Sequence, residues 1–241
     1  MDKNNFISLL YKAFEENNLS NLLTDKTADS LYEFANLLVE TNKITNLTAI
    51  TDDKGIILKH FIDCASVSEH MDTNARLIDV GCGAGFPSIP LAIIRPDLSI
   101  TALDSTGKKI DFVKTVASKL NLTNLSAVCA RAEDFVADNR EKFDVSTSRA
   151  VARLNVLAEI SLPLVKVGGK FIAMKSNKGS EEYAEASAGI KKLGAAFELS
   201  VEKVFSFEKE VINREFYIFS KTRSTPKEFP RKYAQILKKP L

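Results

Sequence analysis

Apolar residues along this 241-residue chain change their spacing near residue 73. Before that point they recur at helical intervals. Phe6, Ile7, Leu9, Leu10 and Phe14 are interrupted by polar positions, and Leu31, Phe34, Ala35 and Leu38 form one stripe of the helix predicted over Leu31–Glu40. GIILKHFIDCASV (Gly55–Val67) predicts another helix, with the polar Thr41–Ile50 as the loop between them. From Arg76 short apolar runs alternate with helix-like segments. Strands are predicted at Leu77–Val80, Ser99–Leu103, Leu125–Cys129, Phe143–Thr147 and Lys170–Met174. Helices are predicted around Ile89–Ile94, Lys109–Lys119, Leu154–Leu164 and Glu181–Leu193. Such alternation implies right-handed crossovers and a parallel sheet with helices on both faces. Two closing runs, Ala195–Val204 and Glu215–Ser220, have no helix between them and predict an antiparallel hairpin at the sheet edge. The expected fold class is α/β, with a mostly parallel seven-stranded sheet in residues 73–241 and an N-terminal helical extension in residues 1–72.

Composition narrows the class of protein. Hydrophobic residues make up 45% and charged ones 27%, the balance of a globular chain. The start, Met1–Asn5, is polar, and no window approaches 18 uninterrupted apolar residues. A cytoplasmic protein with no membrane contact is expected. Three widely spaced cysteines and two histidines, His60 and His70, provide neither a disulfide framework nor an ordinary zinc site, so no metal is expected. The net charge of +2 is unevenly placed. From Lys221 to Leu241 seven Lys/Arg stand against one Glu, a charge of +6; the rest of the chain holds 26 basic and 30 acidic residues, a charge of −4. A basic tail on a slightly acidic body suits a polyanionic partner, although exposed termini are often basic for solubility alone.

The chemistry is concentrated where the first strand stops. RLIDVGCGAGFPSIPLAI (Arg76–Ile93) runs from an apolar strand into glycines at alternate positions, Gly81, Gly83 and Gly85, and then into a helix. A dinucleotide-binding loop has the spacing GxGxxG, with small residues against its helix. Here the third glycine comes one residue early and Phe86 follows it, which argues against a pyrophosphate cradle. Asp79-x-Gly81-x-Gly83-x-Gly85 instead resembles the motif of class I S-adenosylmethionine-dependent methyltransferases. Backbone passes close to the ligand in that motif, and Asp79 would sit near its amino group. A plain tight turn is the alternative. Asp104, 23 residues past Gly81, falls at the end of the second strand, where a carboxylate can accept from ribose hydroxyls or simply cap a turn. Ala132 and Glu133 follow the third strand, at the place where such enzymes hold the adenine edge.

A more specific resemblance spans nearly the whole chain. Asn46-Leu47-Thr48, His60-Phe61-Ile62-Asp63, DVGCGAGFPSIPLAI, LDSTGKKIDF, RAEDF, SRAVARL (Ser148–Leu154), GGKFIAMKS and the tail FPRKYAQILKKPL are similar to the RsmG (GidB) family of bacterial ribosomal RNA methyltransferases. The tail departs from the family pattern, with Tyr233-Ala234-Gln235 where Gly and Thr often follow the Arg-Lys. The resemblance implies a Rossmann-like class I methyltransferase that uses S-adenosylmethionine. It implies a target in 16S ribosomal RNA or a small-subunit precursor, namely the ring nitrogen at position seven of a guanine. It also implies that Gly81, Phe86, Ala132, Glu133 and Arg149 contact the cofactor. That nitrogen carries an in-plane lone pair and no proton, so attack on a sulfonium methyl is a matter of alignment and no general base is expected. Arg149, at the end of the fourth strand, is the candidate positioning residue, with a salt bridge to Glu133 or Asp104 as its structural alternative. Arg153, Lys175, Arg231, Lys232, Lys238 and Lys239 are candidate RNA contacts. His60 and Asp63, three apart on one helical face, read as a satisfied structural pair. Other class I substrates, or a ribosome-binding module without chemistry, are the competing readings.

Overall fold

Strand β1 (Arg76–Val80) reads apolar on both faces, Leu77, Ile78 and Val80 all being buried, as a central parallel strand requires. In the computed structural model, which describes residues 2–149, 152–175 and 179–241, β1 lies between β2 (Ser99–Asp104) and β4 (Phe143–Arg149), parallel to both. The full order is β3-β2-β1-β4-β5-β7-β6, with β3 at Leu125–Cys129, β5 at Val165–Lys175, β6 at Ala195–Phe207 and β7 at Glu210–Lys221. Only β7 runs against its neighbours. The chain therefore moves outward from β1 through β2 to β3, returns to β4, and continues the other way. The carboxyl ends of β1 and β4 mark that switch point, where open α/β sheets bind ligands.

One face of the sheet carries α1 (Lys3–Glu16), α2 (Asp25–Asn42), a helical run from Asp53 to His70, α5 (Ser88–Ile94) and α6 (Gly107–Lys119). The N-terminal helices share their core with the sheet. Phe34 of α2 packs at 5.8 Å on Phe61, at 5.2 Å on Phe86 and at 6.3 Å on Phe112, so one aromatic cluster joins α2 to the glycine loop. The other face carries α7 (Ala132–Asn139), α8 (Leu154–Ser161), α9 (Gly179–Lys192) and the short α10 (Tyr233–Lys238). Among the described residues no helix is long and apolar enough to cross a membrane.

The expected antiparallel hairpin forms at the sheet edge, with β7 inserted between β5 and β6, so that β6 is the outer strand on that side and β3 on the other. Two details differ from the sequence expectation. The predicted helix Gly55–Val67 is a composite: α3 (Asp53–Ile56), a π-helical turn Ile57–Ile62, α4 (Asp63–Ser66) and a 3-10 turn Val67–His70. Wide π turns inside helices are uncommon and frequent at functional sites; this one contains His60. Helices α7 and α10 have no counterpart in the sequence expectation, because α7 is short and rich in polar residues and α10 is only six residues long between prolines. Within the SRAVARL motif, Ala150 and Val151 lie outside the described residues, as does Ser176 of GGKFIAMKS.

Candidate active site

The glycine loop is built by backbone hydrogen bonds that require its left-handed turns. The Gly81 and Cys82 amides both donate to the Leu103 carbonyl, at 2.7 and 3.0 Å, which ties the loop to the end of β2. The Gly83 amide, at φ +58°, donates to Asp104 Oδ2 at 3.0 Å. The other Asp104 oxygen accepts from the Thr106 amide at 2.8 Å, so this carboxylate is oriented by two amides and still borders open space. Gly85, at φ +90°, has no room for a side chain, since a Cβ there would lie 2.7 Å from Ile89 Cγ1. A Cβ on Gly83 would meet nothing within 4 Å, so the loop is open on that side. Gly83→Val is therefore expected to leave the sheet and its helices in place while reducing cofactor affinity at least tenfold, as read by calorimetry; unchanged affinity would show that the loop approaches nothing.

Asp79 is placed differently from the expectation. It lies beneath the loop, fully buried, accepting from both the hydroxyl and the amide of Ser88 at the start of α5. Burial pushes its carboxyl up to about 7, against the opposing Ser88 hydrogen bonds. It borders neither cavity described below, so it shapes the loop from behind.

Two cavities meet at Gly81 and Asp104. The smaller, of about 220 Å³, is walled by Val80, Leu103, Ala130 and Ile160, with Asp104, Ala132, Glu133 and Tyr233 at its polar side. It is a mostly apolar slot bordered by two carboxylates, Asp104 and Glu133. The larger, of about 920 Å³, opens over Gly83 and Phe86 and is bordered by Lys59, His60, Asp63, Lys109, Arg149, Arg153, Lys175 and Arg214. Basic side chains dominate its rim.

Arg149 is the hub of the larger cavity. Its Nη1 donates to the Lys59 carbonyl at 3.0 Å and to Asp63 Oδ2 at 3.1 Å. Its Nη2 lies 3.2 Å from His60 Nδ1, and the guanidinium sits 5.0 Å above the Phe86 ring. Phe86 in turn stacks on His60 at 4.2 Å. Because arginine can only donate, His60 Nδ1 is the acceptor. The proton is therefore on Nε2, which donates to the Thr48 hydroxyl at 3.1 Å. Burial first, and the Arg149 charge second, hold the imidazole down at about 3, so it stays neutral. The alternative salt-bridge partners of Arg149, Glu133 and Asp104, give way to Asp63, and His60 and Asp63 both bind Arg149. Asp63, 1% exposed, takes a second guanidinium, the Nε of Arg214 on β7, at 3.0 Å. Sequence reasoning misses Arg214; an arginine within the apolar stretch VINREFYIF is its one signal.

Among the candidate RNA contacts, the structure separates free groups from engaged ones. Lys232, Lys238 and Lys239 are exposed. Arg153 precedes α8 and pairs with Glu185, yet keeps 61% of its side chain exposed, so that pair is weak and easily exchanged. Lys175 does not reach outward: only 9% exposed, it donates to the Ala152 carbonyl and pairs with Glu182, both at 2.7 Å. Arg231 is likewise not outward-facing, because its guanidinium is held by the buried Glu159.

Comparisons with known proteins agree with this geometry. The family model "rRNA small subunit methyltransferase G" (GidB) matches residues 27–212. Proteins named "Ribosomal RNA small subunit methyltransferase G" from Staphylococcus carnosus and Staphylococcus haemolyticus are 45% and 46% identical over 240 residues, covering 98% of both chains in each case. Among solved structures, P. horikoshii TYW2 in complex with MeSAdo aligns at TM-score 0.55 and 16% identity, over 66% of this chain and 62% of that one. M. jannaschii TYW2 in complex with AdoMet aligns at 0.52 and 13%, over 66% and 74%. At such identity the structures show a shared class I fold, while the sequence matches run end to end. The chain belongs to the rRNA small subunit methyltransferase G (GidB) family.

Proposed function

We propose that this chain transfers the methyl group of S-adenosylmethionine to the ring nitrogen at position seven of a guanine in small-subunit ribosomal RNA. The observation that carries the reading is the pair of cavities joined at Gly81 and Asp104: an apolar slot beside a wide, basic-rimmed opening. S-adenosylmethionine, when bound, supplies an electrophilic methyl on sulfonium sulfur. Asp104 offers its remaining lone pairs to ribose hydroxyls; Ala132 and Glu133 border the adenine end; Gly81 and Gly83 admit the ligand along the backbone. Asp79 supports the loop they belong to. Phe86 and Arg149 border the larger cavity, where they are positioned to hold the guanine plane against the methyl.

Side chains around the larger cavity agree with a reaction that removes no proton from the nucleophile. His60 is neutral, its Nδ1 blocked by Arg149 and its Nε2 proton given to Thr48. Asp63 is saturated by two guanidinium groups. Burial drives the thiols of Cys64 and Cys82 far up, so neither is a nucleophile. Asp79, whose carboxyl titrates near neutrality, is sealed under the loop. What the site supplies is alignment.

In this reading residues 1–72 are an extension that furnishes His60, Asp63 and Thr48 to the site, residues 73–241 hold the cofactor, and the enzyme works in the cytoplasm on the small subunit or its precursor. The test is incubation with S-adenosylmethionine and either small subunits or naked 16S RNA, followed by mass spectrometry of the nucleosides. The expected product is 7-methylguanosine; a different methylated base would overturn the target assignment. In calorimetry with S-adenosylmethionine and with NAD, binding of NAD alone would overturn the reading.

The tail carries a further expectation. Basic groups near phosphates release counterions, so affinity falls with salt at a log–log slope of roughly 0.7 to 0.9 per neutralised phosphate. Reversing the charge of Lys232, Lys238 and Lys239 is expected to weaken RNA binding and to flatten that slope by about two. An unchanged slope would identify the tail lysines as solubilising groups only.

A further inference from the structure

The C-terminal segment does more than trail from the sheet. After β7 it crosses the face formed by α7 and α8, held at successive points. Arg140 donates to the Phe229 carbonyl, and the Phe229 ring is buried. Arg231 grips Glu159 of α8 with its amide, Nε and Nη2. Ile236 is fully buried. Between these anchors the Tyr233 amide donates to Glu133 Oε1 at 3.3 Å, and the Tyr233 ring lies 5.8 Å from the Arg131 guanidinium. That ring borders the smaller cavity together with Leu103, Glu133 and Ile160.

We propose that Tyr233 is a cofactor-binding residue, its ring forming the outer aromatic wall against which the adenine of S-adenosylmethionine packs. The inference rests on reading the smaller cavity as the adenine end of the cofactor site. Among the described residues, the others around that slot are aliphatic, polar or glycine, so Tyr233 supplies its one aromatic ring. The position is fixed from both sides: Glu133, which borders the adenine end, also holds the Tyr233 amide, and Arg231 two residues earlier pins the segment to α8. A rigid aromatic ring at low entropy cost is an effective partner for a purine face, with stacking commonly worth about tenfold or more in affinity. The tail thus contributes to both halves of the reaction, an aromatic ring to the cofactor and the adjacent Lys232 to the RNA side.

The chain contains no tryptophan, which makes a direct test available. Tyr233→Trp introduces a single indole at the slot, and Tyr11→Trp places one on α1, on the opposite face of the sheet, as the control. Titration with S-adenosylmethionine is expected to change the indole emission of the Tyr233→Trp variant saturably. Adenosine is expected to compete for that change, and the α1 probe to stay silent. By calorimetry Tyr233→Ala is expected to weaken S-adenosylmethionine and S-adenosylhomocysteine alike by roughly tenfold, with Tyr233→Phe within about twofold of the parent. Melting of the free protein checks that the Ala variant is folded. If the parent protein binds S-adenosylmethionine but Tyr233→Ala binds equally well, or the emission of Tyr233→Trp does not respond, the inference is wrong. If the parent itself does not bind the ligand, the reading of the cavity fails first and the role of Tyr233 falls with it.

Discussion

Arg149→Ala is expected to reduce methyl transfer by at least 100-fold and to lower the melting temperature as well. Asp63 is buried and shared between Arg149 and Arg214. Removing Arg149 leaves Asp63 Oδ2 without its charged partner and takes the Arg149 donor from the Lys59 carbonyl. Breaking a buried pair costs about 3–5 kcal/mol when the remaining charge is abandoned. Arg214 still holds the other oxygen, so the lower end applies, about 3 kcal/mol, or roughly 6–12 °C for a chain of this size. The effect on turnover is larger because Arg149 also rests on Phe86, and a displacement of about 1 Å at the transfer site costs on the order of 100-fold. His60 provides an independent readout. Its imidazole is held down first by burial and next by the Arg149 charge, so its pKa rises in the variant. With only two histidines in the chain, an NMR titration resolves that shift directly. Arg149→Lys keeps a charge beside Asp63 but cannot make three directed contacts, so it is expected to recover most of the stability and little of the activity. Normal turnover in the Ala variant with only the melting temperature reduced would confine Arg149 to a structural role.

The parts of this molecule that are legible in the sequence are those set by local pattern. Strand β1, the glycine loop and α5 follow from apolar runs punctuated by Gly, and the later strands fall within a few residues of their expected positions. Asp104 is legible because a carboxylate at the end of β2 is a matter of spacing. What escapes is long-range pairing of charges. The structural alternative for Arg149 pairs it with carboxylates at neighbouring strand ends, yet its partner Asp63 lies 86 residues earlier, just past a π turn that no periodicity in GIILKHFIDCASV marks. A motif match assigns Asp79 to the ligand; its side chain instead turns under the loop to Ser88. Lys175 and Arg231 read as free cations, although each has a carboxylate waiting in an otherwise apolar or helical segment, Glu182 and Glu159. A lone Glu inside LNVLAEISL is the legible sign of such a buried partner, since an unpaired carboxylate does not survive in a core.

Glu159 is the basis of the other large effect. It is 0% exposed on α8, among Leu157, Ala158 and Ile160, and its described hydrogen bonds all come from Arg231: the amide at 2.9 Å and Nε at 2.8 Å on Oε1, and Nη2 at 2.6 Å on Oε2. Arg231→Ala leaves this carboxylate buried with a single backbone donor, at an expected cost of about 3–5 kcal/mol. For a chain of this length that corresponds to a fall of roughly 6–20 °C in melting temperature. Glu159→Gln is expected to cost less, about 1–2 kcal/mol, because the neutral amide still accepts a hydrogen bond and the partly exposed guanidinium can hydrate. Replacing both partners together, Glu159→Leu with Arg231→Met, removes charge and counter-charge at once and is expected to restore most of the stability, the signature of a coupled buried pair. The consequences reach beyond stability, because Arg231 fixes the segment that carries Tyr233 and Lys232. Arg231→Ala is therefore expected to weaken both S-adenosylmethionine and RNA, whereas the double variant, which keeps Phe229 and Ile236 buried, recovers stability before it recovers affinity. An Arg231→Ala melting temperature within about 2 °C of the parent, under 1 kcal/mol for a chain of this size, would mean that Glu159 finds another partner, and that the tail is held by its apolar anchors alone.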